Sequence, residues 1–343
     1  MSKSNLPKDH PKIENKTGVL ILNLGTPDGY DYFSIRKYLK EFLSDRRVIE
    51  VNPIIWKIIL NLFILPFRPF ATGKKYKEIW MKDSNESPLK FYTKSSAEKL
   101  QDLVNKKHSD LIVDYAMRYG NPSIESKIDE LIKKGCKKII FIPLYPQYCS
   151  ATTATICDEI YRVLKKIRWQ PEVRIVGHYP DNTLYIKSLV NSVKNHIKTL
   201  DFKPDAILSS YHGIPKIYFE KGDPYQCFCH KTNRLFNEEL KKQKVKIENH
   251  ISFQSRFGPK EWLKPYTADV LKELVNKRVR NIIVITPGFA SDCIETLEEV
   301  DMEYRELFLE LGGEKFSLVP CLNDSDDGIK LINDLLESNL WKN

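Results

Sequence analysis

The chain of 343 residues lacks the features of an exported or membrane-spanning protein. It has no stretch of about 18 apolar residues, the length that a membrane-spanning helix needs. Residues 1–16 are polar and charged, so they do not resemble a secretory signal and are predicted to form a disordered arm. The seven cysteines are an odd number in a large chain, which disfavours a disulfide framework and indicates a reducing compartment. We therefore expect a cytoplasmic protein.

The chain also lacks the marks of a nucleic-acid-binding protein. Its net charge is +9, but the lysines are scattered rather than gathered in a stripe with interleaved aromatic residues. We expect no nucleic-acid partner. A modest attraction to anionic lipid or to an anionic small molecule is compatible with the charge.

One segment, residues 53–70, is the most apolar in the chain, and we call it the apolar lip. Its composition fits either a buried core helix or an exposed amphipathic segment that meets a membrane or an apolar ligand. The polar residues Lys57, Asn61 and Arg68 would share one helical face, although prolines break both ends of the segment. The residues predicted to form the membrane surface of the lip are Ile54, Ile55, Trp56, Ile58, Ile59, Leu62, Phe63 and Ile64.

Short β-branched runs alternate with helical patterns along the chain, which predicts an α/β fold with parallel sheets and crossover helices. Helical spacing is clearest at Ile124, Ile128, Leu131 and Ile132. Strands are predicted at residues 19–24, 112–116, 138–142, 174–177, 205–209, 251–254 and 281–285.

The loops that follow these strands repeat in order. The first half contains LNLGTP, MRYGNP and FIPLYPQYCSATT, and the second contains SYHGIP, SRFGPK and ITPGFASDCIET. This repetition predicts two similar α/β domains, residues 17–172 and 173–327, with the lip as an insertion at about residues 50–90 of the first. Residues 328–343 are predicted to form a helix that packs back on the first domain. Because ligands bind at the carboxyl ends of parallel strands, we expect one cleft between the domains.

His212 follows a buried strand and precedes a glycine in the segment SSYHGIP. A neutral imidazole in a cleft-facing loop can accept a proton near pH 7 or bind a divalent transition metal. A satisfied polar group at a strand end is the alternative explanation.

An acidic run at Glu295, Glu299 and Glu303 enters a helix in the segment 287–306. Capping and the helix dipole account for acids in the first turn, but not for the two that follow. A π-type turn would bring residues four apart nearly into register, whereas an α-helix spreads them by about 40° per step. Carboxylates aligned into a cleft can guide a cation or remove protons; a solvated surface helix is the alternative.

Aromatic residues also lie beside strand-end loops, at Tyr145, Tyr211, Trp262 and Phe289. Each could be an ordinary core residue. Together they could wall a flat, apolar ligand by stacking.

An ordered set of motifs over residues 23–299 resembles the ferrochelatase family, the last enzymes of protohaem synthesis. The motifs are LNLGTP, SPLKFYT, MRYGNP, FIPLYPQYCSATT, SYHGIP, GDPYQC, FQSRFGPKEWLKPYT and PGFASDCIETLEE. The resemblance implies two Rossmann-like domains, each a parallel sheet flanked by helices, with a porphyrin between them. It also implies a lyase that inserts Fe²⁺ into protoporphyrin IX and releases two pyrrole protons, with both molecules as substrates and no permanently bound cofactor.

The same resemblance assigns the site residues. His212 and Glu295 match the metal-site histidine and its opposing carboxylate, and Glu299 and Glu303 match an acidic path on a π-helix. The lip resembles the family's membrane-facing mouth, which implies peripheral contact with the inner membrane and an upstream porphyrin-supplying enzyme as a further partner. The positions that it implies contact the porphyrin are Leu24, Ser87, Arg118, Tyr145, Ser255, Trp262 and Phe289.

Departures from the family pattern concern cysteines. Cys293 stands where many members have histidine. Some members bind an iron–sulfur cluster, but Cys149 is offset by one from the matching position and no cysteine follows Cys321, so no cluster is predicted. Cys227, Cys229 and His230 form a C-x-C-H run that is either structural or a labile metal-delivery site.

Other functions remain open from the residues alone. Coproporphyrin III is an alternative substrate that would need donors for two extra propionates. Sirohydrochlorin, with cobalt or iron, is disfavoured because an apolar lip suits a heavily carboxylated substrate poorly. A two-domain protein that binds haem or metal without catalysis is the third alternative, but that class is usually exported. Residue types alone leave open which group delivers iron and which removes protons.

Overall fold

The computed structural model describes residue 10 and residues 13–341, and within that part eight strands form two four-stranded parallel sheets. The first sheet has the order β2-β1-β3-β4, and the second has the order β6-β5-β7-β8. This confirms the predicted α/β class and the internal repetition. The strands are β1 (Glu14–Thr26), β2 (Leu111–Gly120), β3 (Cys136–Pro143), β4 (Glu172–Ile175), β5 (Ala206–His212), β6 (Glu248–Gln254), β7 (Asn281–Ile285) and β8 (Lys315–Leu318).

Helices connect the strands, as parallel pairing requires. Helix α5 shows why they form: Ser123 accepts a hydrogen bond from the Ser126 N–H at its start, and its apolar face is buried. The α-helices are α1 (Tyr32–Ser44), α2 (Pro53–Ile59), α3 (Arg68–Ile79), α4 (Pro88–Val104), α5 (Ile124–Lys133), α6 (Thr155–Lys166), α7 (Thr183–Ile197), α8 (Lys216–Glu220), α9 (Tyr225–Lys242), α10 (Thr267–Asn276), α11 (Arg305–Glu310) and α12 (Asp326–Asn339). Three π-helices are π1 (Leu60–Ile64), π2 (Ser150–Ala154) and π3 (Glu295–Tyr304).

Two predicted boundaries are wrong. Strand β1 begins at Glu14, whose N–H donates to the Gly135 carbonyl, so the end of the predicted arm belongs to the first sheet. Residues 1–9 and 11–12 of that arm lie outside the described residues. Strand β4 pairs with β3, so the chain leaves the first sheet after Ile175 rather than near Glu172. The short strand β8, which no sequence pattern indicated, is the equivalent fourth strand of the second sheet.

A shared hydrophobic core joins the two sheets. Ile21 and Ile140 of the first sheet belong to the same buried cluster as Ile207 and Ile283 of the second. Helix α12 contributes Leu336 to this cluster and packs on α4 and β3 of the first sheet as well as on α7. Each such side chain contributes on the order of 1.5–3 kcal/mol when buried, so the core holds the strand ends of both sheets in a fixed relation.

The apolar lip is exposed, so the alternative of a buried core helix is wrong. Ile54 is 74% exposed and Phe63 is 65% exposed, whereas Leu60 and Leu65 are buried. The large exposed apolar side chains in and beside the lip are Val51, Ile54, Ile55, Ile58, Leu62, Phe63, Phe67 and Phe70.

Three details of the lip differ from the sequence prediction. Trp56 and Ile64 face inward and pack against a core cluster, and Ile59 is half-buried. The chain bends by 68° between the helical stretches Pro53–Ile64 and Arg68–Ile79. Lys57, Asn61 and Arg68 therefore do not share one helical face, because prolines at the bend interrupt the helix. Among the described residues, no single helix has the length and apolar character to cross a membrane.

Candidate active site

His212 is the last residue of β5, and it pairs in register with Gln254, the last residue of β6. Its Nδ1 lies 2.6 Å from the Gly213 carbonyl oxygen. Because a carbonyl can only accept a hydrogen bond, Nδ1 carries the proton and Nε2 keeps a lone pair. The loop geometry therefore fixes the tautomer that can accept a proton or bind a metal through Nε2.

Two of the predicted aromatic residues lie near the loop that carries His212. The Phe289 ring centroid lies 6.5 Å from that of the imidazole. Trp262 packs closely against the neighbouring turn at Gly213. A Cβ added to Gly213 would lie 3.2 Å from Trp262 Cε3 and 2.7 Å from the Gln254 carbonyl oxygen. Glycine is thus required where Trp262 approaches the residue that follows His212.

The acidic run lies on helix π3, which confirms the predicted π-type geometry. The Glu299 carboxylate accepts hydrogen bonds from the Ser255 N–H at 2.7 Å and the Ser255 Oγ at 2.6 Å. It also accepts from Gln254 Nε2 at 3.1 Å and from the Tyr304 hydroxyl at 3.3 Å. The Gln254 amide donates in addition to the Glu295 carbonyl at 2.9 Å, so the strand beside His212 holds the start of π3.

Glu295 lies near tyrosines that come from the first domain. Burial raises the pKa of Tyr145 well above its ordinary value, and the charges of Cys293 and Glu295 add to the effect. Burial followed by the charge of Glu295 raises the pKa of Tyr76 in the same way. The Tyr145 hydroxyl donates to Asn23 Oδ1 at 3.0 Å. Neutral tyrosines of the first domain thus lie near a carboxylate of the second.

Leu24 lies at the same junction of the two domains. It is half-buried against a hydrophobic cluster that also receives Ile294, the residue before π3. The structure therefore places Leu24 and Tyr145 of the first domain near the start of the acidic run, and Phe289 and Trp262 near the loop that carries His212.

Four predicted wall residues have other partners in the structure. Ser255 donates to Glu299, and Ser87 is 1% exposed and caps helix α4 by accepting from the Lys90 N–H. Tyr211 is fully buried in the core, so it is not part of a ligand wall. Arg118 is held by an internal ion pair.

The Arg118 guanidinium donates to Asp45 Oδ2 at 2.6 Å and to Thr155 Oγ1 at 2.7 Å. Burial alone would raise the pKa of Asp45, but hydrogen bonds from Thr155, the Arg47 N–H and Tyr119 outweigh it and lower the pKa. Asp45 therefore stays ionised beside Arg118. Because a buried ion pair is costly to break, Asp45 holds the Arg118 guanidinium in place, and the contact of Arg118 with a porphyrin stays a prediction.

Sequence reasoning missed two charged residues at the outer part of π3. Lys75 of α3 lies 2.8 Å from Glu298 Oε1 and 2.6 Å from Glu303 Oε1. Burial raises the pKa of Glu298, although Lys75 opposes the shift. The five-residue interval from Glu298 to Glu303 matches the hydrogen-bond spacing of a π-helix. This interval was the one feature of the sequence that could have indicated that the two carboxylates lie close together.

The C-x-C-H run does not present its groups together. Cys229 is fully buried at the start of α9, whereas Cys227 is exposed and His230 packs near the Phe253 ring. Within residue 10 and residues 13–341, no three His, Cys, Asp or Glu side chains are grouped so as to hold a metal ion. This geometry favours the structural explanation of the run.

Comparison with known proteins identifies close relatives by sequence. A family model described as Ferrochelatase matches residues 16–340. The protein named Ferrochelatase in Francisella tularensis subsp. novicida (strain U112) is 53% identical over 326 residues, 95% of this chain and 96% of the relative. Its counterpart in Francisella tularensis subsp. tularensis (strain WY96-3418) has the same identity and coverage.

Solved structures with lower identity share the fold. SirB from Bacillus subtilis with Fe³⁺ has a TM-score of 0.55 at 11% identity, over 94% of this chain and 95% of that one. DR2241 from Deinococcus radiodurans has a TM-score of 0.51 at 8% identity, over 96% of this chain and 56% of that one. At these identities the likeness shows the two-domain architecture alone.

Proposed function

This chain belongs to the ferrochelatase family of haem synthesis, and from that premise we propose that it inserts Fe²⁺ into protoporphyrin IX between His212 and Glu295. One observation supports the site most strongly. His212 has its Nδ1 proton committed to the Gly213 carbonyl, and its pairing partner Gln254 holds both Glu295 and Glu299. These contacts support a site in which the imidazole acceptor lies close to the start of the acidic run.

Insertion requires that two pyrrole N–H protons leave as the ferrous ion sheds water and forms bonds to the four nitrogens. Nε2 of His212 can accept one proton, because its lone pair is available while Nδ1–H stays bound to a carbonyl. Trp262 and Phe289 flank this position and can hold a flat macrocycle by stacking. Burying the ring between them would favour a bent macrocycle whose lone pairs face the metal.

The carboxylates of Glu295, Glu299 and Glu303 form what we call the carboxylate path. Glu295 lies at the inner end among buried tyrosines, and Glu303 is exposed at the outer end. Glu299 is fixed between them by Ser255 and Gln254. We infer that Glu295 assists deprotonation or positions the metal, and that Glu299 and Glu303 carry charge between the cleft and solvent.

Protoporphyrin IX is favoured over coproporphyrin III because it carries two propionates rather than four. Each extra propionate would need a further donor, and an unsatisfied buried group costs on the order of 1–3 kcal/mol. The exposed apolar lip also suits a more apolar porphyrin.

Anaerobic assays with Fe²⁺ and each porphyrin test this preference. We expect kcat/KM for protoporphyrin IX to exceed that for coproporphyrin III by about tenfold or more, since 1.4 kcal/mol corresponds to tenfold. Loss of the free-porphyrin absorbance measures the rate. Equal or faster turnover of coproporphyrin III would overturn the substrate assignment.

The apolar lip is proposed to contact the cytoplasmic face of the inner membrane, where an upstream enzyme would supply the porphyrin. Its exposed side chains, such as Ile54 and Phe63, lie on a pair of helical stretches bent by 68°, and this apolar surface can enter the membrane interface.

Vesicle binding tests the lip. The double substitution Ile54→Ser and Phe63→Ser should lower partitioning onto anionic lipid vesicles by about tenfold or more, because two large apolar side chains no longer enter the interface. Co-sedimentation at fixed lipid concentration is the measurement. Tyr161→Ser, which removes a side chain 56% exposed on α6, is the matched control and should bind like the unmodified protein. Equal sedimentation of the double variant would rule out the lip as the contact.

A further inference from the structure

A lysine of α3, the helix that begins within the apolar lip, lies at the outer end of the carboxylate path. Lys75 of α3 makes ion pairs to Glu298 Oε1 at 2.8 Å and to Glu303 Oε1 at 2.6 Å. The Glu298 side chain is 9% exposed and that of Glu303 is 54% exposed, so the two pairs extend from the protein interior to its surface. The ammonium group occupies a position between two carboxylates that a metal ion could also approach.

Helix α3 meets both ends of π3. Tyr76, the residue after Lys75, is buried, and its raised pKa is due first to burial and then to the charge of Glu295 at the inner end. Lys75 contacts the outer part of the same helix. Since α3 follows the lip directly after the 68° bend, these contacts connect the lip to the carboxylate path.

The lysine stays charged in this position. Burial would lower the pKa of Lys75, but its hydrogen bonds to Glu298 and Glu303 outweigh burial and raise it. A permanent cation at the outer carboxylates competes with any second cation for the same oxygens. The competition is electrostatic, so it depends on ionic strength.

We propose that Lys75 is a positioning residue that neutralises the outer end of the carboxylate path and is displaced from Glu303 when Fe²⁺ enters there. The inference rests on the carboxylate path of the proposed function. It adds that iron approaches from the outer end of the carboxylate path, past the Lys75 ammonium group of α3. Lys75 thereby sets the iron concentration at which the path fills, without contacting the porphyrin.

The substitution Lys75→Met tests the proposal. Removing one positive charge within several ångströms of a divalent ion should lower the apparent KM for Fe²⁺ on the order of fivefold at low ionic strength. The difference should shrink strongly at about 0.5 M salt, where charges are screened over a few ångströms. The value of kcat and the KM for protoporphyrin should stay unchanged, and Lys75→Arg should restore the original KM for iron.

Two further variants make the result decisive. Lys74→Met removes the exposed neighbouring lysine and should leave the iron KM unchanged. Glu303→Gln removes a carboxylate of the path and should raise the iron KM. If Glu303→Gln raises it while Lys75→Met leaves it unchanged, or lowers only kcat and Tm, the role of Lys75 is overturned and the path stands. If Glu303→Gln has no effect on the iron KM, the path itself fails, and the proposal for Lys75 fails with it.

Discussion

Substituting His212 with alanine is expected to lower kcat for iron insertion by about 10²–10⁴-fold, while protoporphyrin still binds. The expectation follows from the geometry of the loop. The Gly213 carbonyl fixes Nδ1–H and leaves Nε2 as the acceptor, while the Phe289 ring centroid lies 6.5 Å from that of the imidazole and Trp262 packs against Gly213. Alanine removes that acceptor and leaves both rings in place, so binding by stacking should persist.

Anaerobic turnover and porphyrin fluorescence titration measure the two effects separately. His108→Ala is a matched control, because His108 is a partly exposed residue that pairs with Glu337 far along the chain. It should keep normal turnover. If the His212 variant turns over at a near-normal rate, the histidine is not the proton acceptor. Loss of porphyrin binding in that variant would show instead that the imidazole supports the wall.

Glu295→Gln is expected to reduce kcat by about a hundredfold or more, because the substitution keeps the shape of the side chain and removes its charge. Glu295 is the innermost member of the carboxylate path, and its charge raises the pKa values of Tyr76 and Tyr145 after the effect of burial. Among the described residues, no other carboxylate of the path raises the pKa values of both tyrosines.

The decrease should be confined to the chemical step. Single-turnover mixing of Fe²⁺ with the preformed porphyrin complex isolates that step, and Glu310→Gln, an exposed acid of α11, provides the control. A Glu295 variant with normal single-turnover rates but a raised KM for iron would show that Glu295 acts in metal binding rather than in the chemical step.

The sequence predicted the features that depend on local patterns. His212 was identified because a histidine between a buried strand and a glycine lies at a strand end, and the structure places it there. The π-helix was predicted because a π-type turn was expected to align acids four apart that an α-helix spreads over a broad face, and π3 covers all three of them. The exposure of the lip was left open because an apolar run alone does not distinguish burial from a membrane surface.

Contacts between residues that are distant in the chain could not be predicted from the sequence. The hydroxyl groups of Ser87 and Ser255 could have met a propionate or the protein, and only folding decides that they cap α4 and hold Glu299. Lys75 and Glu303 are separated by 228 residues, so no spacing rule connects them. The prediction that Tyr211 lines the ligand site could have been avoided. Neighbouring residues in a strand face opposite sides of the sheet, so if His212 faces the ligand, Tyr211 faces the core.

A crystal structure with protoporphyrin IX bound in the absence of iron would show directly where the porphyrin binds. We expect the macrocycle between the two domains, stacked near Trp262 and Phe289, with His212 Nε2 and the Glu295 carboxylate on opposite faces. The imidazole should lie within about 3 Å of a pyrrole nitrogen or be joined to it by one water. A porphyrin bound elsewhere, or one with both groups on the same face, would contradict it.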